Sequence, residues 1–317
     1  MAIAAILLLS SCGKDDTRVT IVLDWTVNTN HTGIYAARDL GYFSEQGLDV
    51  VVEFPPETGA ANMVLAGQAE FLVSYQEEVT LARAAGKDLL ALAAVIQHNT
   101  SGFASRKEAG ITRPRDFAGK TYGGWGSPME EAVLKALMAK DGADYDRLKN
   151  VSVGSMDFFA ATDSGIDFTW IFAGWDGVMA GLKGIDINFI SLGSLEKALD
   201  YYTPLIASTD RYVGAHPEIT GKFMKALARG YQYAIAHPDR AAEILLKNAP
   251  ELDQDLVRQS QRWLADRYQA DAPAWGRMRA SVWKDFADWM QGYGLLAGNP
   301  DMNRAFTNDF LPGADGE

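Results

Sequence analysis

Aromatic and polar side chains concentrate at three points in the sequence where a predicted strand runs into a predicted helix. These are residues 24–33 (DWTVNTNHTG), 123–128 (GGWGSP) and 170–177 (WIFAGWDG). In open α/β sheets, ligands bind at the carboxyl ends of the strands, where such junctions lie. Aromatic rings stack on the faces of a flat heterocycle, while amides, imidazoles and carboxylates bond to its edges. The pattern predicts a binding cleft for such a ligand; the alternative is that each tryptophan packs against its own strand.

The histidines lack the spacing that metal chemistry requires. They form no HxH, HxxxH or HExxH pattern, so a zinc enzyme is not expected. The four positions are His31, His98, His216 and His237. His216 and His237 each precede a proline at a predicted helix start, where we expect them to cap the helix.

The chain also lacks the G-x-S-x-G elbow of a serine nucleophile. Its nearest phrase is residues 124–128 (GWGSP), where proline follows Ser127 and Glu130 stands three positions on. This spacing predicts a helix N-cap with a capping box. The glycines of residues 123–126 complete neither GxGxxG nor a GK[ST] phosphate loop. We therefore expect no catalytic residue, no cofactor and no metal.

Strand-like and helix-like segments alternate along the chain. The pattern predicts strands at residues 19–25, 48–54, 70–74, 89–97, 120–123, 151–153, 167–172 and 187–190. It predicts helices at residues 34–40, 58–66, 79–85 and 127–139, and a mainly helical region from Pro217 onward. This alternation is typical of βαβ units and an open α/β sheet. The almost continuous apolar run 89–97 is typical of a buried parallel strand.

Large apolar residues recur every three or four positions near the C-terminus. They are Trp275, Met278, Val282, Phe286, Trp289 and Tyr293. This spacing predicts a helix packed on a core; a ligand-binding stripe is the alternative.

Length and charge restrict the class of protein. The chain has 317 residues, with 41 acidic and 29 basic side chains and a net charge of −12 at pH 7. Chains beyond about 250 residues tend to split into domains, and the strand–helix pattern restarts after residues 100–102. The acidic excess lacks the basic surface that binds nucleic acids or anionic membranes. We therefore expect two domains and no nucleic-acid partner.

Cys12 is the single cysteine, so the chain cannot form an intramolecular disulfide or a CxxC zinc site. It follows the apolar run 2–9 and two serines, an arrangement similar to the bacterial lipobox, in which the cysteine is lipidated. Eight apolar residues are too few to span a bilayer, which needs about 20. No basic residue precedes Cys12, and a free cysteine is the alternative. We expect residues 1–16 to be a signal-peptide remnant, lipobox and tether, which places the protein outside the cytoplasm on a lipid anchor.

The segment DWTVNTNHTGIYAARDLGYFSEQGLDV closely resembles the opening of periplasmic-type binding proteins that serve thiamine-precursor ABC importers. The wider family includes the fungal thiamine-pyrimidine synthases. The resemblance continues through SYQEEVT, YGGWGSP, DFTWIFAGWDG and DYYTP, although relatives typically have proline at the position of Val27. It implies an α/β fold of the type II periplasmic binding protein class, with two open-sheet lobes and a two-crossing hinge. Lobe 1 would comprise residues 17–102 and 202–317, and lobe 2 residues 103–201.

On the matching positions and the three junctions, we predict ligand contacts from both lobes. The predicted residues are Trp25, Asn30, His31, Tyr75, Glu78, His98, Gly124, Trp125, Trp175, Asp176 and Tyr201. Two alternatives stay open: Glu78 as an acidic residue of a first helical turn, and His98 as a hydrogen-bonded histidine at the edge of the core. Relatives often have glutamate where this chain has the shorter Asp176.

The resemblance implies a lipid-anchored binding protein that delivers formylaminopyrimidine or hydroxymethylpyrimidine to an ABC permease and ATPase. We expect it to be a monomer that meets the membrane only through its anchor. Riboflavin or another flat heterocycle is the alternative ligand, and a ligand sensor is an alternative role. A pyrimidine synthase is a distant alternative, since those relatives use a lysine, a histidine and a cysteine-rich run. Residues 32–86 here contain neither lysine nor histidine.

Overall fold

The computed structural model describes residues 17–154, 156–298 and 300–313; the predicted leader and Cys12 lie outside these ranges. Ten strands are present in the described ranges: β1 (Thr17–Val22), β2 (Leu48–Glu53), β3 (Phe71–Ser74), β4 (Leu89–Ala94), β5 (Ser101–Arg106), β6 (Thr121–Gly124), β7 (Lys149–Ser152), β8 (Phe168–Phe172), β9 (Ile187–Ser191) and β10 (Leu205–Thr209). The α-helices there are α1 (Thr32–Asp39), α2 (Ala60–Leu65), α3 (Gln76–Ala84), α4 (Pro128–Lys140), α5 (Phe158–Asp163), α6 (Val178–Leu182), α7 (Leu192–Leu195), α8 (Asp210–Ala215), α9 (Pro217–Ala236), α10 (Pro238–Asn248), α11 (Gln254–Gln269) and α12 (Ala280–Gly292).

The strands form two mixed five-stranded sheets. The first has the order β2-β1-β3-β10-β4 and the second the order β7-β6-β8-β5-β9. In each sheet three neighbouring strands are parallel, β2-β1-β3 and β7-β6-β8, and the other two, β10 and β4 or β5 and β9, extend it by antiparallel pairing. The chain passes from the first sheet to the second between β4 and β5, and returns between β9 and β10. Two segments therefore connect two α/β lobes.

The prediction that residues 89–97 form a parallel strand is wrong. In its sheet, β4 pairs only with β10, and that pairing is antiparallel. All six residues of β4 are nevertheless buried, because the C-terminal region covers its free edge. The amide of Ala91 donates to the carbonyl of Ala305 and that of Ala94 to Gly276, both at 2.9 Å. Because the C-terminal region covers β4, the side chains on both of its faces are shielded from water. Such a strand is apolar throughout, as a buried parallel strand is.

Helices α1 and α9 cross closely because two glycines leave room for the contact. A Cβ atom on Gly33 would lie 2.3 Å from the Tyr231 ring, and one on Gly230 would lie 2.1 Å from the carbonyl oxygen of Gly33. The hydroxyl of Tyr231 donates to the carbonyl of Asn30 at 2.7 Å. This packing holds the turn that precedes α1 in place.

The predicted cap at Ser127 is confirmed, and the two predicted histidine caps are wrong. Ser127 is the N-cap of α4 and accepts a hydrogen bond from the amide of Glu130, whose carboxylate completes the capping box. His216 and His237 occupy the N-cap positions of α9 and α10, but neither side chain makes a cap hydrogen bond. Their rings instead lie against Tyr212 and Tyr233, with ring centroids 4.8 Å apart in both cases.

Part of the predicted apolar stripe lies in the core, but the buried face of the helix differs from the predicted one. Trp275 and Met278 are buried, but they precede α12, which begins at Ala280. Within α12 the fully buried aromatic residues are Trp283 and Phe286, whereas Tyr293 is exposed. None of the helices in the described ranges is long and apolar enough to cross a membrane.

Candidate ligand-binding site

A cleft of about 880 Å³ lies between the two sheets and is lined by residues of both. Its walls are formed where parallel strands end. Trp25 follows β1, Tyr75 follows β3, Trp125 follows β6 and Asp176 follows β8. Ligand sites in open α/β folds lie at this edge of the sheet, because the strand-to-helix turns there expose polar groups.

Most of the predicted contacts line the cleft. These residues are Trp25, Asn30, Tyr75, Glu78, Gly124, Trp125, Trp175, Asp176 and Tyr201. Whether they touch a ligand remains a prediction. His31 and His98 do not line it, and we remove both from the proposed ligand contacts for the reasons that follow.

His31 supports a cleft carboxylate instead of facing the cleft. It is fully buried, and its Nδ1 accepts the amide N–H of Asn28 at 3.2 Å, so the ring proton lies on Nε2. Nε2 donates to Oδ1 of Asp24 at 2.6 Å, and the hydroxyl of Tyr75 donates to Oδ2 at 2.7 Å. Burial opposes the charge on Asp24, but His31 and Tyr75 outweigh it and hold the pKa of Asp24 below its ordinary value. Asp24 lies in the first strand-to-helix junction, but its type and spacing do not indicate this role.

His98 joins the two lobe connections. Its Nδ1 lies 2.7 Å from a carboxylate oxygen of Asp200 and its Nε2 lies 2.9 Å from one of Asp271. Burial lowers the pKa of His98, but the two carboxylates raise it further, above its ordinary value. The other oxygen of Asp200 accepts the amide of Asn99 at 2.8 Å. The bond to Asp200 and this amide bond tie the outgoing connection to the returning one, and the bond to Asp271 links His98 to the C-terminal region. The alternative of a hydrogen-bonded histidine at the edge of the core therefore describes His98 better than a ligand contact does.

The loop before α4 presents Trp125 to the cleft. The buried carboxylate of Glu130 accepts the amides of Trp125, Gly126 and Ser127 at 2.8–3.2 Å and the hydroxyl of Tyr122 at 2.5 Å. A Cβ atom on Gly124 would lie 2.1 Å from this carboxylate, so the glycine is required by Glu130. All acceptor capacity of Glu130 is therefore used within the protein.

Exposed apolar side chains collect in the cleft. Trp25 and Trp125 are each 49% exposed, and Met156 and Leu81 are also exposed there. The Trp125 ring leans on Trp170, with centroids 5.5 Å apart and planes at 57°. Water-exposed aromatic faces of this size are costly unless something covers them, so the cleft offers stacking surfaces.

The lobe 2 wall contains a π-helical turn, Ala173–Gly177, which places Asp176 in the cleft. Such turns are rare and are frequently found at functional sites. The Asp176 carboxylate accepts one long bond, 3.3 Å, from the amide of Phe172. Burial, with repulsion from Asp157, raises the pKa of Asp176 to about 6. The turn also touches lobe 1, because the hydroxyl of Ser260 in α11 donates to the carbonyl of Gly174.

Two neighbouring glutamates face the cleft from the first turn of α3. Glu78 accepts the hydroxyl of Ser74 at 2.6 Å, and burial with repulsion from Asp24 still raises its pKa. Glu77, which the sequence analysis did not select, has its pKa raised to about 7 by burial and by repulsion from Glu78 and Glu130. The only indication of Glu77 in the sequence is its position next to Glu78. Within the described residues, no group of three or more His, Cys, Asp or Glu side chains is arranged to hold a metal ion.

Comparison with known proteins agrees with this architecture. Residues 28–241 match the family model described as NMT1/THI5 like. The chain belongs to the NMT1/THI5-like family. A formylaminopyrimidine-binding protein of Halalkalibacterium halodurans is 28% identical over 313 residues, covering 92% of this chain and 92% of that protein. The riboflavin-binding protein RibY of Chloroflexus aurantiacus is 25% identical, covering 93% of this chain and 86% of that protein. The resemblance seen in the sequence is thereby confirmed.

Relatives of this NMT1/THI5-like chain also include enzymes. A 4-amino-5-hydroxymethyl-2-methylpyrimidine phosphate synthase of Legionella pneumophila is 23% identical, covering 93% of both chains. Among solved structures, the aliphatic sulphonate binding protein SsuA of Escherichia coli has a TM-score of 0.72 at 13% identity, covering 93% of this chain and 98% of that one. The desulfurization enzyme DSZB has a TM-score of 0.65 at 13% identity, covering 94% and 99%. The predicted periplasmic-binding-protein fold is confirmed, and this fold serves binding proteins and enzymes alike.

Proposed function

We propose that this protein is the substrate-binding component of an ABC importer and that it captures a thiamine pyrimidine precursor, formylaminopyrimidine or hydroxymethylpyrimidine. The observation that carries the proposal is the combination, in one cleft, of half-exposed tryptophans and carboxylates from both lobes. A 4-aminopyrimidine has flat faces for the rings and an amino donor for a carboxylate. The name of the relative from Halalkalibacterium halodurans supports this choice.

Stacking and hydrogen bonding divide the work of recognition. Trp25 from lobe 1 and Trp125 from lobe 2 are each about half exposed in the cleft, and aromatic pairs add about 0.5–1.5 kcal/mol beyond the area they bury. Asp176 keeps unused acceptor capacity, and a hydrogen bond from an amino group to a carboxylate contributes about 1.5–3 kcal/mol. Asn30, on the turn before α1, would donate to the remaining ring nitrogen.

Riboflavin is the second candidate ligand, and the size of the cleft favours it. At about 30 Å³ per water molecule, the 880 Å³ cleft is larger than a single substituted pyrimidine ring requires. The carboxylates favour the pyrimidine, because the imide edge of a flavin presents two carbonyl acceptors that a carboxylate repels. A pyrimidine also requires the cleft to narrow around it, which a hinge between the lobes allows.

We propose a binding protein and not an enzyme. The fungal synthases that the sequence resembles use a lysine and a histidine, and in this cleft the basic lining side chain among the described residues is Lys87, which is exposed. His31 is fully buried and bonded to Asp24, so it does not reach the cleft. A cleft with stacking surfaces and hydrogen-bond acceptors suits the capture and release of a flat ligand.

The lobe bounds, the oligomeric state and the location of the protein are also proposals. We propose lobes of residues 17–102 with 202–317 and of residues 103–201, supported by the sheet membership of the strands, except that β5 already begins at Ser101. We propose a monomer outside the cytoplasm, anchored through Cys12 and docking on a permease and ATPase. The lobe arrangement supports this role, because a closed liganded form presents a surface that differs from the open form.

Calorimetric titration with formylaminopyrimidine, hydroxymethylpyrimidine, thiamine and riboflavin tests the proposal. We expect tight binding of one of the two pyrimidines and little binding of thiamine, whose thiazolium ring adds a bulky cation. Solution scattering at saturating ligand should show a more compact particle. Tighter binding of riboflavin than of either pyrimidine would establish the second candidate in its place.

A further inference from the structure

Glu77 is a cleft carboxylate without a partner of its own. It is partly buried and lines the cleft, and within the described residues its carboxylate takes part in no hydrogen bond or ion pair. The residues on either side of Glu77 do have hydrogen-bond partners. The side-chain carbonyl of Gln76 accepts a bond from the backbone amide of Tyr202 at 2.9 Å, and Glu78 accepts one from the hydroxyl of Ser74.

Every other acidic side chain that lines the cleft accepts at least one hydrogen bond within the protein. Asp24 accepts from both His31 and Tyr75. Asp157 caps α5 and accepts the amides of two residues of that helix at 2.8 and 3.0 Å. Glu78 and Asp176 each accept one bond and so keep one carboxylate oxygen without a donor, whereas Glu77 accepts none within the described residues. Glu77 is therefore the least engaged cleft carboxylate of lobe 1, and Asp176 that of lobe 2.

Partial burial removes some of the hydration of the Glu77 carboxylate without giving it donors, which is unfavourable, and the surrounding charges add to this. The groups that act on it are Glu78 and Tyr75 at the start of α3, Glu130 of α4 and the hydroxyl of Tyr201 on the returning connection. All of them are acidic or neutral. A ligand that donates a hydrogen bond to Glu77 would relieve this repulsion, whereas a ligand that presents an oxygen would add to it.

We propose that Glu77 is a specificity-determining residue that accepts a hydrogen bond from the amino group of the ligand, with Asp176 accepting on the opposite side of the cleft. This inference rests on the proposed function, because it assumes an aminopyrimidine ligand. It assigns the lobe 1 acceptor to Glu77 and leaves Glu78 to its bond with Ser74. It also predicts a pH dependence, because only the ionised form of Glu77 is a full acceptor, and its pKa of about 7 places the change near neutrality.

The test is calorimetry with hydroxymethylpyrimidine on the wild-type protein, Glu77→Gln and the matched control Glu131→Gln. Glu131 is an exposed residue of α4 that pairs with Lys135 outside the cleft. At pH 8 we expect Glu77→Gln to weaken binding about tenfold, since it loses a charge-assisted bond, and the control to bind as wild type does. At pH 6 the ratio of wild-type to Glu77→Gln affinity should fall several-fold.

A second probe, the same pyrimidine without its amino group, makes the result independent of the variant. Wild-type protein should prefer the amino compound more strongly at pH 8 than at pH 6, and Glu77→Gln should bind the two compounds more equally. Equal affinities of wild type and Glu77→Gln at pH 8, or a preference for the amino compound that does not change with pH, would overturn the assignment while the proposed function stands. If the wild-type protein binds neither pyrimidine, the proposed function itself fails.

Discussion

The hydroxyl of Tyr75 donates a 2.7 Å hydrogen bond to the carboxylate of Asp24 and thereby joins the ends of β3 and β1 at the floor of the cleft. The second oxygen of Asp24 is held by His31. Two donors hold this buried carboxylate in one position, and the same hydrogen bonds restrain the turns that follow β1 and β3. The Trp25 ring, next in the chain to Asp24, is held at its base by this network.

Replacement of His31 by alanine should lower the free energy of unfolding by about 1–3 kcal/mol, because the buried Asp24 loses a donor and the amide of Asn28 loses its acceptor. Urea unfolding measures the change. His237→Ala is the control, since this exposed histidine also precedes a helix but makes no cap bond, and we expect a change within about 0.5 kcal/mol. Similar losses for the two variants would contradict a structural role specific to His31.

Replacement of Trp125 by alanine should weaken ligand binding about tenfold with little effect on stability, because its half-exposed ring contributes mainly a stacking surface. Calorimetry and thermal unfolding separate the two effects. Tyr293→Ala removes a similarly exposed aromatic ring that does not line the cleft and should bind as wild type does. Unchanged affinity in Trp125→Ala would show that the ligand lies elsewhere.

The ion pairs of His98 should make stability depend on pH in a defined direction. Its pKa is raised above the ordinary 6.5 by Asp200 and Asp271. A raised pKa means that the stabilisation is fully present below pH 6.5 and is lost as the pH rises through the raised value. The melting temperature of His98→Gln should therefore fall further below that of wild type at pH 6 than at pH 8.5. A constant difference across this range would rule out a charged link.

The lipobox-like pattern before Cys12 predicts that the full-length protein, expressed in bacteria, partitions into the detergent phase. Lipoproteins carry two or more acyl chains, and two membrane signals anchor stably where one does not. Cys12→Ala should move the protein to the aqueous phase. Equal partitioning of both forms would remove the anchor from the proposal.

Local patterns in the sequence were sufficient where the interacting groups lie within a few residues of each other. The capping box of Ser127 and Glu130 is an example, since both partners belong to one helical turn. Strand-to-helix junctions were recognisable for the same reason, and most of the residues chosen at them line the cleft. Aromatic and polar types at strand ends indicated the ligand class but not the direction in which each side chain points.

The contacts that only the tertiary structure decided join residues far apart in the chain. The apolar run of β4 looked parallel because burial on both faces, not strand direction, determines composition; its partner β10 begins more than a hundred residues later. His98 meets Asp271 across 173 positions, and no spacing rule predicts such a pair. The sequence by itself determined the fold family, the capping and the kinds of groups at the strand ends, through short-range periodicity and hydrogen bonds. The fold decided which carboxylates are satisfied and which, like Glu77, are left facing the cleft, because that depends on how the two lobes bring distant elements together.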